Sequence, residues 1–316
     1  MERGPAIVKV GPWGSRRGKP KDISEGSIPA RLESITVRHN SAPGGGRIYA
    51  FSFVYVDQNS WTPISVGPWG SNTCVGLVEK IDIPMFDHVN HISGTTDSEG
   101  VTSLKIVTSK EMQYEFGCKL GRTFSVPLNE ISVPLNENNG GKVISFFGIS
   151  GSNSLAALGV YVTGEKEVVK IGAWGHPQGL TKDINLRDDT PRKLVSVSIY
   201  SGDRINGFSF VYINQIGMTI KVSTCGSNKG VPNQFNMTQG EVLNCVTGTT
   251  DDYGVTSLTF STTKGRQYGP YGIPGGEYRS FSVPLQEGIG AALAFFGRST
   301  RDYVSAFGTY VGERTG

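Results

Sequence analysis

The chain is poor in the residues that carry catalysis, metal binding and strong net charge. It holds four histidines and four cysteines in 316 residues, and 30 Lys and Arg against 27 Asp and Glu leave a net charge of +3. Cys74, Cys118, Cys225 and Cys245 form no CxxC pair and no Cys/His cluster at metal-ligand spacing. They read as free thiols in a reducing compartment, and neither a metal nor a cofactor is implied. His39, His88, His91 and His176 stand in no HExxH arrangement, and Ser150 and Ser299 stand in no nucleophile elbow. With no nucleophile–base pair and no paired carboxylates, the chain is not expected to be an enzyme. The N-terminus lacks an apolar signal core, and no apolar run reaches about 18 residues, so neither secretion nor membrane insertion is expected. The basic residues are scattered except at Arg16-Arg17 with Lys19 and Lys21. That cluster reads as a solvated loop, and no nucleic-acid partner is expected.

Helical patterning is missing too: no segment of ten or more residues places apolar side chains at i, i+3, i+4 and i+7. What is present is 43 glycines and 16 prolines spread evenly between short runs of β-branched and aromatic residues. Leu32–Val37, Leu194–Ile199 and Val255–Phe260 alternate apolar with polar, the period of a strand with one buried face. The chain is therefore all-β, with many short strands and Gly-rich turns, which leaves sandwich, barrel and prism open.

Most of the sequence occurs twice. Val8-Lys9-Val10-Gly11-Pro12-Trp13-Gly14 returns as Val169-Lys170-Ile171-Gly172-Ala173-Trp174-Gly175, and Phe51–Tyr55 returns as Phe208–Tyr212. Gly94-Thr95-Thr96-Asp97 matches Gly248-Thr249-Thr250-Asp251, and Phe146-Phe147-Gly148 matches Phe295-Phe296-Gly297. The blocks keep their order about one domain length apart, the mark of a tandem duplication. Two domains are expected, residues 1–164 and 165–316.

The Gly-Pro/Ala-Trp-Gly opening, the Tyr268–Gly276 stretch leading into Phe-Ser-Val-Pro, and the Phe-Phe-Gly-Arg-Ser closing run together resemble the jacalin-related lectins of mannose type. The resemblance covers both copies, and is looser in the first, where Gln113–Cys118 replaces Tyr-Gly-Pro-Phe-Gly. It implies a β-prism I fold in each copy, three four-stranded Greek-key sheets apiece. It also implies a glycan partner, mannose-type favoured, and a cytoplasmic or nuclear lectin of plant stress or defence. Many relatives associate through outer strands, so a homo-oligomer is compatible with the resemblance.

The resemblance also implies where a sugar sits: between an N-terminal Gly-Trp-Gly loop giving one backbone N–H and a late Gly-x-x-x-Asp loop giving two more and a carboxylate. Gly18 and Gly179 fall on the first-loop contact position. Asn153 and Ser154, and Asp302 and Tyr303, fall on the backbone donors of the second. The carboxylate position carries Ala156 in the first copy, whose loop reads one residue longer than the family pattern, and Ser305 in the second. A hydrogen bond to a charged group contributes about 1.5–3 kcal/mol, against about 4 kcal/mol for a whole millimolar site. Its loss in both copies leaves two expectations: a weakened lectin, or a lectin fold turned to protein partners. Ser305 keeps a hydroxyl and Asp302 lies close by, so the second copy is expected to carry the binding. A further site known in some mannose-type members maps onto Gly202, Asp203, Arg204 and Asn206, with Gly226 on the facing loop.

Overall fold

The computed structural model describes residues 6–127, 141–164, 167–186, 189–274, 279–285 and 290–313. The chain divides into two compact units, one of Lys9–Val126 with Lys142–Thr163 and the other built on Gly164–Gly316. The expected boundary residues Glu165 and Lys166, like Gly275 and Gly276 of the family stretch, lie outside the described residues. Every regular element is a strand, and no helix occurs among the described residues.

In the first domain β1 (Ile7–Gly14) and β2 (Lys19–Lys21) open the chain. β3 (Pro29–Asn40), β4 (Arg47–Asp57), β5 (Pro63–Gly70) and β6 (Leu77–Asp82) form a sheet in the spatial order β6-β3-β4-β5. β7 (Val89–Thr96), β8 (Val101–Thr108), β9 (Gln113–Gly117) and β10 (Arg122–Pro127) repeat it as β10-β7-β8-β9. β11 (Lys142–Ser150) and β12 (Leu155–Thr163) join the opening strands as β2-β11-β12-β1. Each sheet is a Greek key with its fourth strand returned beside its first. The β2-β11-β12-β1 and β10-β7-β8-β9 sheets meet through one residue pair, Val143 with Val89. Three four-stranded sheets result, the β-prism arrangement that the resemblance implies.

The second domain repeats this strand for strand. β13 (Val168–Gly175) and β14 (Leu180–Lys182) are followed by β15 (Pro191–Ser201), β16 (Ile205–Asn214), β17 (Thr219–Gly226) and β18 (Val231–Asn236), ordered β17-β16-β15-β18. β19 (Leu243–Thr250), β20 (Val255–Thr262), β21 (Gln267–Gly272) and β22 (Arg279–Pro284) make the next sheet. β23 (Ala291–Ser299) and β24 (Val304–Gly312) close the third with β13 and β14.

Period-two alternation sends one face of each strand inward. On β4, Phe51, Phe53 and Tyr55 are buried while Ser52 and Val54 between them are half-exposed. Phe208, Phe210, Phe295 and Phe307 interlock in the same way in the second domain, with ring centroids 5.2–6.5 Å apart. The repeated tryptophans cap each core beneath the first loop. Trp13 stacks on Phe124 at 5.0 Å and Trp174 on Phe281 at 4.5 Å, both Trp rings 7% exposed. They support the loops and present no face for a sugar to stack on.

Candidate functional site

At one end of the first domain the β1–β2 turn (15–18) and the β11–β12 turn (151–154) are held together through backbone. Ser15 N–H donates to the Ala156 carbonyl at 2.8 Å. Gly18 has φ +140°, and a Cβ there would lie 2.4 Å from the Ser150 carbonyl oxygen, so only glycine lets the first turn close onto the second. Gly151 N–H donates to Ser154 O at 3.1 Å and sets the second turn. Two further loops back it: Gly70 N–H donates to Ser150 Oγ at 2.7 Å, and the Cys74 thiol lies 3.3 Å from the Asn153 carbonyl. Among the described residues, the N–H groups of Gly18, Asn153 and Ser154 have no protein acceptor. Gly18 and Asn153 are exposed, whereas Ser154 is buried.

The second domain builds the same frame. His176 N–H donates to the Ser305 carbonyl at 2.7 Å. Gly179, at φ +96°, has no room for a Cβ, which would lie 2.2 Å from the Ser299 carbonyl oxygen. Thr300 N–H donates to Tyr303 O at 3.0 Å. The difference lies in side chains. Thr300 stands where the first domain has Gly151, and its Oγ1 lies 3.3 Å from Asp302 N and 3.2 Å from Tyr303 N. The two expected backbone donors are turned inward. Ser305 is fully buried, and its hydroxyl donates to the Gln178 carbonyl. Ala156 is fully buried at the equivalent place. As many residues separate Gly148 from Gly159 as Gly297 from Gly308, so the extra residue belongs to both loops rather than to the first alone.

Charged groups surround the second-domain turn. Asp302 is exposed and pairs with Lys229 at 2.7 Å, which holds its carboxyl below the usual carboxylate range. Arg204 binds Asp251 through both Nη atoms, at 2.9 and 3.4 Å, and lies 5.0 Å from the Tyr303 ring centroid and 5.8 Å from that of Tyr253. Burial raises the Asp251 pKa, but N–H donors from Gly254 and Tyr253, and then Arg204, more than offset this and leave it lowered. In the first domain Arg47 takes the corresponding role with Asp97 at 3.2 Å and Glu99 at 3.0 Å.

The second candidate cluster is a hairpin locked from within. Gly202 N–H donates to Arg204 O at 3.0 Å, and Gly202 and Asp203 are exposed at its tip. Asn206 Nδ2 donates to Lys229 O at 3.1 Å, and Asn206 O accepts from Ser227 N, one residue past Gly226. Arg204 and Lys229 thus connect this hairpin to the Asp302–Tyr303 turn. A shallow depression beside the first loop, lined in part by His176, Pro177, Phe296 and Arg298, includes none of Gly179, Asp302, Tyr303 or Ser305.

Sequence reading missed Thr300, Lys229 and the two Arg–Asp pairs. Asp97 and Asp251 had a signal, since both close the repeated Gly-Thr-Thr-Asp block. Arg47 had none, and Arg204, placed in the second candidate cluster, carried no sign of its pairing with Asp251.

Two Greek-key prisms in one chain, each with a pair of glycine-dependent loops at one end, define a tandem β-prism protein. The model of the Jacalin-like lectin domain matches residues 10–161 and again 171–310, and the chain belongs to that family. Horcolin from Hordeum vulgare is 34% identical over 160 residues, which cover 49% of this chain and 97% of horcolin. A mannose/glucose-specific lectin from Parkia pendula is 26% identical over 320 residues, 96% of this chain and 64% of that lectin. Among solved structures, AcmJRL, a mannose binding jacalin related lectin from Ananas comosus, is 34% identical, covering 47% of this chain and 99% of that one at a TM-score of 0.42.

Proposed function

We propose that the chain binds glycans, without a covalent step, through the paired loops at the end of each domain, and that mannose- or glucose-type residues are the class it inherits. The observation that carries this reading is the conserved use of space around Gly18 and Gly179. In both domains an exposed glycine closes the first loop onto the second, and its N–H has no protein acceptor among the described residues. Such donors hold sugar oxygens in fixed geometry, and the missing Cβ lets a ring approach. The specificity in the name of the Parkia pendula lectin, alignable to 96% of this chain, supports the sugar class. Neither domain offers a carboxylate at Ala156 or Ser305, so single-site affinity is weak and two linked sites matter, since linkage can raise apparent affinity about 10²–10⁴-fold.

A glycan array printed with the intact protein tests this. Signal on mannose-rich glycans, competed by free methyl mannoside, is the expected result. Silence on every glycan from folded protein selects the other reading, a lectin fold turned to protein partners, which Ala156 and Ser305 favour.

A further inference from the structure

The first domain differs from the second in charge where the two share a backbone. Aligning Gly18 with Gly179 places Arg16, Arg17, Lys19 and Lys21 opposite Pro177, Gln178, Leu180 and Lys182. All four first-domain cations are exposed, and among the described residues none has an acidic partner. The backbone of two of them is held at the site. Arg17 N–H bonds to Ser15 Oγ at 3.3 Å, and Lys19 pairs in register with Ser150, the residue that enters the 151–154 turn. The same corner holds the three N–H donors of Gly18, Asn153 and Ser154, none with a protein acceptor. The position at which the family carries a carboxylate is Ala156, so no fixed negative charge opposes the cations there.

Unpaired N–H groups beside guanidinium and ammonium groups are the donor set that anions select, and charge-assisted bonds are about twice as strong as neutral ones. A neutral sugar has no use for three unpaired cations at its rim. Resting on the glycan-binding reading, we infer that the first-domain loop pair takes a saccharide bearing an anionic group, a carboxylate or a sulfate, with Arg16, Arg17 and Lys19 as its charge partners. The second domain differs at this place: Pro177 and Gln178 replace Arg16 and Arg17 and Leu180 replaces Lys19, Arg298 donates to the Pro177 carbonyl, Arg204 and Lys229 are paired with Asp251 and Asp302, and Arg301 adjoins the Asp302 carboxylate.

The test titrates the intact, ¹⁵N-labelled protein with three probes: an oligogalacturonate, a sulfated oligosaccharide and neutral mannotriose. The expected result is that at least one acidic probe binds about tenfold or more tighter than mannotriose to the first domain. It shifts the amides of Gly18, Asn153 and Ser154, and weakens strongly between about 50 and about 300 mM salt. The variant Arg16→Gln/Arg17→Gln/Lys19→Gln loses about tenfold for that probe, whereas Arg31→Gln/Lys80→Gln/Lys110→Gln, with the same charge removed elsewhere, does not. Which acidic probe binds separates carboxylate from sulfate. Mannotriose binding as tightly as the acidic probes, with the same amides shifted, overturns the inference and leaves the lectin reading standing. Acidic binding that spares those amides or ignores the triple variant also overturns it, as does equal binding of single-stranded DNA or anionic vesicles. No response to any of the three sugars removes both readings together.

Discussion

The Thr300 hydroxyl lies 3.2 Å from the backbone nitrogen of Tyr303 and 3.3 Å from that of Asp302. A single side chain thus draws inward the two donors that the second domain would offer a sugar. Gly151, its counterpart, cannot do this, and the equivalent donors of the first domain stay unengaged.

Thr300→Gly should therefore raise the affinity of the second domain for mannose-type glycans. A net neutral hydrogen bond contributes about 1 kcal/mol, which is roughly a fivefold change in Kd. Calorimetric titration with mannotriose measures it. An unchanged Kd, with the fold intact, would mean that Asp302 and Tyr303 do not contact the sugar.

Restoring the family carboxylate should help the first domain more than the second. In the second, the Ser305 hydroxyl donates to the Gln178 carbonyl, and an Asp would set one acceptor against another there. Ala156 has no such tether to break, and both loops are equally long. Ala156→Asp should bind mannotriose about tenfold tighter than the parent, and acidic oligosaccharides more weakly, because the new carboxylate repels an anionic group held by the same loop pair. Ser305→Asp should gain less and lose thermal stability. A larger gain from Ser305→Asp in parallel titrations would refute this ordering.

Strand patterning made the fold class legible, because alternation in segments such as Leu32–Val37 follows directly from burying one face. The prism did not follow from alternation; it came from the ordered words that resemble a family. Gly18 and Gly179 came from the same resemblance, and the structure gives each a carbonyl where a Cβ would stand, a place only glycine fills. Thr300 and Lys229 were not legible. Their roles depend on a turn's donor directions and on a partner 73 residues away in sequence, and neither leaves a local pattern.

Acid should weaken the second domain through Glu241. Its side chain is fully buried, yet it accepts from Thr238 N at 2.9 Å, Thr238 Oγ1 at 2.7 Å and Thr262 Oγ1 at 2.8 Å, with Arg266 at 3.6 Å. Burial pushes its pKa up, but these donors and the nearby guanidinium outweigh it and bring the carboxyl down to about 2. A carboxylate whose pKa is depressed on folding adds stability above its unfolded value of 4.5, and that stability fades as pH falls through about 2. Asp57 in the first domain, held to about 2 chiefly by Ser27 Oγ and Ile28 N–H, behaves alike below its ordinary 3.8. Glu241→Gln should be less stable than the parent in urea at pH 7, since a neutral amide puts an N–H among donors. The gap should close as the pH approaches about 2. A gap that stays constant down to that pH would show that the loss comes from packing, not from the charge.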